Sequence, residues 1–152
     1  MIQRKQTVFL LLAIFASLAA LCLPLGTLRP EKLCVDSVIY CMWIQNGNGG
    51  TSLAPMPLFF ILAASVTVSA VTIFLYKNRK LQIRLCSYNI LLTVIWYITY
   101  AVIAYTTINN TGESLKVSFA SVLPLVSLIL IYMGRKGVKA DEALIRAAER
   151  IR

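Results

Sequence analysis

The chain alternates between four long apolar stretches and shorter polar segments. The apolar stretches cover about residues 7–25, 53–76, 85–108 and 117–133, and none contains a charged side chain. Each is close to the ~20 residues that a helix needs to cross a hydrocarbon core about 30 Å thick. The pattern therefore predicts an all-α membrane protein, a bundle of four transmembrane helices formed by residues 1–134.

Two prolines interrupt this pattern. Pro24 lies near the end of the first stretch, where it predicts the end of a helix. Pro124 lies inside the fourth stretch, where it predicts a kink because proline removes a backbone hydrogen bond.

The charges alternate between the polar segments. The N-terminal segment, the junction between the second and third stretches, and the tail together hold 12 of the 15 basic residues but three of the six acidic residues. The remaining segments, residues 26–52 and 109–116, hold equal numbers of each. Because Lys and Arg near helix ends resist translocation, we predict that both termini are cytoplasmic and that residues 26–52 and 109–116 form outer loops.

The first outer loop carries the pattern of β structure. Residues 33–45 are rich in β-branched and aromatic side chains, and residues 46–52 are rich in turn-forming Gly and Asn. This predicts a short strand or hairpin over the outer ends of the helices. Residues 115–119 of the second outer loop are predicted to add a partner strand.

Two cysteines of this loop, Cys34 and Cys41, raise the question of a disulfide. A disulfide is permitted outside the cytoplasm, but seven residues of continuous strand would span more than about 20 Å, so the pair needs a turn between them. Free thiols are the alternative. A thiol oxidoreductase also uses four helices and outward-facing cysteines, but the C-x-x-C pair of such enzymes is missing, which makes this a remote alternative.

The composition excludes several classes of protein. Hydrophobic residues make up 59% of the chain and charged residues 14%, with a mean hydropathy of +0.76, which leaves too little polar surface for a soluble domain. The basic residues flank apolar spans instead of forming a groove, so no nucleic-acid partner is predicted. The chain has no His, no nucleophile–base pair and no phosphate-binding loop, and the sequence predicts no catalytic, cofactor or metal site.

The third stretch contains the polar and aromatic side chains that suggest an intramembrane site. Asn89 lies about one turn from the inner end, and Trp96, Tyr97 and Tyr100 lie deeper. An Asn at that depth usually hydrogen-bonds to a neighbouring helix. Packing is the structural interpretation of these residues, and a solute, quinone or lipid pocket is the functional one.

The tail, residues 135–152, is predicted to form a separate cytoplasmic helix. After Gly134 and Gly137 an amphipathic pattern begins at about residue 140, with Asp141 and Glu142 in its first turn. We expect this helix to lie on anionic lipid headgroups or on a protein partner. Together with the other inner segments it predicts a basic surface made of Arg4, Lys5, Arg79, Lys80, Arg84, Arg135, Lys136, Arg146 and Arg150.

Three of the inner stretches carry a family resemblance. The opening MIQRKQTVFLLL, the junction YKNRKLQIRLCSYNILL and the tail RKGVKADEALIRAAERIR resemble a family of small four-helix membrane proteins from Bacteroidetes-type bacteria, described as a domain of unknown function. The resemblance implies a bacterial inner-membrane location and supplies no catalytic residue.

These observations lead to a functional hypothesis without an assigned activity. We predict a non-enzymatic subunit, scaffold or assembly factor of an inner-membrane complex, with a protein partner or a second copy of itself as neighbour. A small oligomeric transporter or lipid-handling protein, with its site at Asn89, Trp96, Tyr97 and Tyr100, is the alternative.

Overall fold

A computed structural model describes residues 3–29, 35–47, 49–75, 78–111 and 114–150. In this part of the chain there are four α-helices, five short strands and one 3-10 helix. The α-helices are α1 (Gln3–Cys22), α2 (Met56–Phe74), α3 (Arg79–Thr111) and α4 (Leu123–Arg150). The strands are β1 (Gly26–Arg29), β2 (Ser37–Ile39), β3 (Ile44–Gln45), β4 (Thr51–Ser52) and β5 (Ser114–Val117), and the 3-10 helix is Phe119–Val122.

The helices form an antiparallel bundle with all the described strands at one end. The strands follow the carboxyl ends of α1 and α3 and precede the amino ends of α2 and α4. We call this the sheet end. At the opposite end lie the amino end of α1, the junction of α2 with α3, and the last turns of α4. We call it the basic end, after Arg79, Lys80, Arg84, Arg135, Lys136 and Lys139.

The strands form one antiparallel sheet in the order β4-β3-β2-β1-β5. The predicted strand or hairpin in residues 33–45 is confirmed as β2 and β3, and the predicted partner strand is confirmed as β5. β5 pairs with β1, with Leu115 opposite Leu28. Leu25, Leu28, Ile39 and Ile44 are buried under the sheet, in one apolar cluster with side chains of the three helices α1, α2 and α3. The sheet therefore closes one end of the bundle.

The buried positions of each helix recur at alternating spacings of three and four residues. This spacing, close to 3.5 residues, is that of helices packed in a left-handed antiparallel bundle. The buried residues that follow this spacing are Gln6, Leu10, Ala13, Ser17 and Ala20 in α1; Leu58, Leu62, Ser65, Ser69 and Thr72 in α2; Gln82, Cys86, Asn89, Thr93 and Trp96 in α3; and Pro124, Ser127, Ile131, Gly134 and Val138 in α4.

The bundle has polar side chains inside and apolar side chains outside. Ser65, Asn89 and Thr93 are at most 1% exposed, whereas Phe60 is 62% and Phe74 80% exposed. Such an exterior is unfavourable in water and favourable in lipid. Three of the described helices are long and apolar enough to cross a membrane, namely Met56–Phe74, Arg79–Asn109 and Phe119–Leu144, and Gln6–Cys22 is a shorter apolar helix.

The predicted break between the fourth span and the tail is wrong. α4 continues through Gly134 and Gly137 to Arg150, so residues 135–152 do not begin a separate helix. A Cβ on Gly137 would lie 3.0 Å from Cγ of Gln6, and one on Gly134 would lie 3.6 Å from Cγ of Leu10. The two glycines therefore let α1 approach α4 closely, and neighbouring contacts outweigh their low helix propensity.

Pro124 does not kink the helix as predicted. α4 begins at Leu123, six residues later than the start of the fourth apolar stretch, because residues 114–117 form β5 and residues 119–122 the 3-10 helix. Pro124 is thus in the first turn of α4, where a backbone N–H has no partner within the helix in any case. Pro24 lies just beyond the end of α1, as predicted.

Candidate functional site

Asn89 forms a hydrogen-bonded bridge between α3 and α2. Its Oδ1 accepts a hydrogen bond from the Ser65 hydroxyl, and its Nδ2 donates to Ser69 Oγ. Both serines are on α2, one helical turn apart, and all three side chains are at most 2% exposed. The contact with a neighbouring helix is the one predicted from the depth of Asn89. Because both the oxygen and the nitrogen of the amide have hydrogen-bond partners, Asn89 is a structural link between α3 and α2.

The three aromatic residues pack against one another near the sheet end. The Trp96 ring is parallel to that of Tyr100, with centroids 5.5 Å apart, and perpendicular to that of Tyr97, with centroids 5.0 Å apart. The Tyr97 hydroxyl donates to the Ser121 carbonyl at 2.8 Å, and the Tyr100 hydroxyl reaches the Leu25 carbonyl at 3.5 Å. The aromatics thus connect α3 to the segment before α4 and to the sheet.

The four residues of the predicted intramembrane site do not form a single site. Asn89 is seven residues from Trp96, which corresponds to about 10 Å along the helix axis. Its amide bonds to α2, while the Trp96 ring packs on Tyr97 and Tyr100. The side chain of Trp96 is fully buried, and its Nε1 has no hydrogen-bond partner among the described residues.

Cys41 is buried under the sheet and has a free thiol. Its Sγ donates a hydrogen bond to the Ala20 carbonyl at 3.3 Å. Burial, with a smaller contribution from the nearby Cys22 thiol, raises the pKa of Cys41 to about 12. The thiolate needed for nucleophilic or redox chemistry is therefore scarce at neutral pH. Cys34 lies outside the described residues; of the two alternatives, disulfide or free thiol, the structure has Cys41 as a free thiol.

The structure brings the described part of the predicted basic surface together at one end. Arg79 and Arg135 are half-buried, and Lys80, Arg84 and Lys136 are exposed. Lys139, which the sequence prediction did not include, is also exposed at this end. The side chains of Arg4, Lys5, Arg146 and Arg150 lie outside the described part. Among the described residues, the one ion pair joins Arg29 to Asp36 at the sheet end. The six bases of the basic end therefore have no carboxylate of a described residue within ion-pair distance.

Two clefts flank Arg135 at the basic end, each with a volume of about 330 Å³. Both are lined by Arg135 and Lys139. The Tyr132 cleft is completed by Tyr132 and Lys136, and the Glu142 cleft by Ile83 of α3 with Glu142 and Ala143. The Nε of Arg135 is buried without a hydrogen-bond partner among the described residues. The clefts are therefore positively charged hollows that can accept an anion.

A hydrogen bond that the sequence did not predict joins α1 to α4 beside these clefts. Gln6 Nε2 donates to Asp141 Oδ2 at 2.5 Å, and Gln6 is buried. Asp141 was predicted in the first turn of a tail helix, but it lies in the interior of α4, 18 residues after Leu123. The sequence feature that could have indicated this contact is the position of Gln6 at the start of the buried stripe of α1, where Leu10 and Ala13 follow.

The described residues contain no group of three His, Cys, Asp or Glu side chains that could hold a metal ion. The interior side chains pack the helices together, and the side chains of the basic end are able to bind an anion.

Replacing Asn89 tests the bridge between α2 and α3. Asn89→Ala should lower the free energy of unfolding in mixed detergent and SDS micelles by about 1–3 kcal/mol, because two buried serine hydroxyls lose their partner. Thr67→Ala is the matched control, since the Thr67 hydroxyl is exposed and bonds to the Ala64 carbonyl of its own helix. Equal effects of the two substitutions would contradict a role for the bridge.

The raised pKa of Cys41 predicts a thiol that resists alkylation. In the folded protein at pH 8, N-ethylmaleimide should modify Cys41 at least ~100-fold more slowly than in SDS-unfolded protein, as measured by mass spectrometry of peptides. The unfolded thiol loses its proton near pH 9 and the folded one near pH 12. Cys41 should thus leave stability unchanged below pH 9 and lower it as pH rises towards 12. Rapid modification at pH 8 would show that the thiol is accessible as thiolate.

The comparisons with known proteins place the chain in a family. The family described as "Domain of unknown function (DUF4293)" matches residues 2–151, and this confirms the predicted resemblance to a family described as a domain of unknown function. No curated protein matches the chain. Because the match covers all but the terminal residues, the chain belongs to the DUF4293 family.

Proposed function

We propose that the protein is a non-enzymatic subunit, scaffold or assembly factor of a complex in a bacterial inner membrane. It crosses the membrane four times, with both termini and the basic end in the cytoplasm. The observation that carries the proposal is the contrast between a filled, hydrogen-bonded interior and six bases at one end without carboxylate partners among the described residues.

The position of α1 supports a fourth span. At the basic end Gln6 contacts Gly137 and Asp141 of α4, and at the sheet end the Ala20 carbonyl bonds to Cys41. The 20 residues of α1 extend over about 30 Å, the thickness of a hydrocarbon core. Its outward side chains are apolar, with Phe15 66% exposed. α1 therefore runs alongside helices that are themselves long enough to span.

The charge difference between the two ends supports the orientation. The three basic segments of the sequence meet at the basic end, whereas the outer loops of the sheet end have balanced charge. Basic residues close to helix ends favour the cytoplasmic side.

The packed interior supports a structural role over the alternatives. A transporter needs polar groups that are available to a solute, but the Asn89 amide is already bonded at both ends. A thiol oxidoreductase needs a reactive thiolate, and Cys41 is buried with a raised pKa. What remains for interaction is the surface, above all the basic end.

Labelling from either side of the membrane tests the topology. In a variant with Cys22 and Cys34 replaced by Ala, a membrane-impermeant maleimide should label Thr51→Cys in intact spheroplasts. Ala140→Cys should be labelled only after lysis, and an added N-terminal tag should be protected from protease in the same way. Thr51 and Ala140 are both exposed, so accessibility to the reagent differs only by the side of the membrane. The reverse pattern would overturn the orientation, and a tag digested in intact spheroplasts would exclude the crossing of α1.

Crosslinking tests the role as a subunit. After purification in mild detergent, a partner or second copy should be crosslinked in a fixed stoichiometric ratio. Neutralising the exposed bases Lys80→Gln and Arg84→Gln should lower its recovery by about tenfold, because the contact is electrostatic. Arg29→Gln with Lys116→Gln removes the same charge from the sheet end and should have no effect. A monomer without a crosslinked neighbour, or equal effects of the two double variants, would contradict the proposal.

A further inference from the structure

The two clefts at Arg135 have a composition that the general role of the basic end does not explain. The Tyr132 cleft is lined by Tyr132, Arg135, Lys136 and Lys139, that is by three cationic residues and one tyrosine among the described residues. We propose that this cleft binds the phosphate headgroup of one anionic phospholipid. The proposal rests on the membrane location given under the proposed function, and it adds a ligand class and a site.

The arrangement of the cations is the first argument. Arg135 and Lys139 are four residues apart on α4, and Lys136 and Lys139 are three apart, so like charges are neighbours on one side of the helix. Like charges at these spacings destabilise a helix unless a counter-charge is present. Among the described residues no carboxylate lies within ion-pair distance of any of the three. A bound phosphate supplies that counter-charge.

The donors of Arg135 are the second argument. Its Nε is buried and has no acceptor among the described residues, and its side chain lines both clefts. A guanidinium has five N–H donors in a plane, and phosphate oxygens match their geometry. A phosphate in the cleft can bond to the guanidinium, while the lysines and the Tyr132 hydroxyl bind the remaining oxygens.

The surface beside the cleft favours a lipid over a soluble phosphate compound. Leu125, Ile129, Tyr132 and Lys136 recur at spacings of four, three and four residues, so they share one stripe of α4 that leads from the cleft towards the sheet end. Leu125 is 47% exposed, Ile129 49% and Tyr132 55%. A lipid whose headgroup lies at Lys136 can therefore place an acyl chain along this apolar strip. Tyr132 lies at the boundary between the charged cleft and the apolar strip, and tyrosine is enriched at such boundaries in membrane proteins.

Glu142 explains why the Tyr132 cleft, rather than its neighbour, is the site. The Glu142 cleft has the same volume and shares Arg135 and Lys139, but a carboxylate lines it. The described lining of the Tyr132 cleft has three cationic side chains and no carboxylate, whereas that of the Glu142 cleft has two cationic side chains and a carboxylate, so the Tyr132 cleft is the more favourable site for a negative headgroup.

Native mass spectrometry of the full-length protein in detergent tests the site. The protein is titrated with dioleoylphosphatidylglycerol, which is anionic, and with dioleoylphosphatidylcholine, which is zwitterionic and has the same acyl chains. We expect one phosphatidylglycerol to bind at least tenfold more tightly than phosphatidylcholine. Arg135→Gln with Lys139→Gln should abolish this preference. Lys80→Gln with Arg84→Gln removes the same charge from bases outside both clefts and should retain it.

The titration has three results that would overturn the proposal. Equal losses in the two double variants would show diffuse attraction to the basic end instead of a site. No preference for phosphatidylglycerol in the wild type would exclude an anionic lipid. Displacement of the lipid by an equal concentration of glycerol 3-phosphate would show that the cleft recognises a soluble phosphate ester without the acyl chains.

Two further measurements separate loss of binding from other failures. Without lipid, the Arg135→Gln, Lys139→Gln variant should be at least as stable to unfolding as the wild type, because the substitutions remove a pair of like charges. Arg135→Lys with Lys139→Arg, which keeps both charges, should restore most of the binding. Failure of this restoration would contradict an electrostatic headgroup site. The titration is independent of topology and of crosslinking, so the lipid site and the scaffold role can fail separately.

Discussion

The hydrogen bonds between Asn89 and the two serines Ser65 and Ser69 join α3 directly to α2. An amide inside a bundle with a lipid-like exterior cannot obtain a partner from solvent, so the partners must come from the next helix. Serine provides a hydroxyl on a side chain short enough for two helices to meet, and two serines four residues apart match the two ends of one amide. Ser65, Ser69 and Asn89 occupy positions in the same alternating three-and-four spacing as the other buried residues of the bundle.

α1 and α4 also supply hydrogen-bond partners to each other at close distance, but with a different combination of residues. Gly137 removes the side chain that would keep the helices apart, and Gln6 and Asp141 bond to each other across the space that becomes available. The sequence gives little indication of this solution. By intrinsic propensity glycine disfavours a helix, but in a membrane bundle it lets two helices come close. Which effect prevails at Gly134 and Gly137 depends on the facing residues of α1, which lie more than 120 residues away in the chain. The separate tail helix was predicted wrongly for this reason.

Local features that depend on a single segment were predictable. The apolar stretches predict α2 and α3, and the β-branched and turn-forming residues of the first loop predict β2 and β3. The depth of Asn89 in its stretch predicts a contact with a neighbouring helix. The start of α4 was not predictable, because the apolar stretch begins at about residue 117, whereas residues 119–122 form a 3-10 helix and α4 begins only at Leu123. The basic end followed from the charges in the sequence. The two clefts could not be predicted in this way, because they depend on how α4 packs against α3.

The pairing of β1 with β5 connects segments about 90 residues apart, at the carboxyl ends of α1 and α3. During synthesis from the amino end, β1 and β2 are complete long before β5 exists. One edge of β1 has unpaired N–H and C=O groups until α3 has reached its place beside α2 and brings β5 to the sheet end. Pairing of β1 with β5 therefore requires α3 to be in place. A chain whose third helix is misplaced keeps an open strand edge, which is able to pair with another chain.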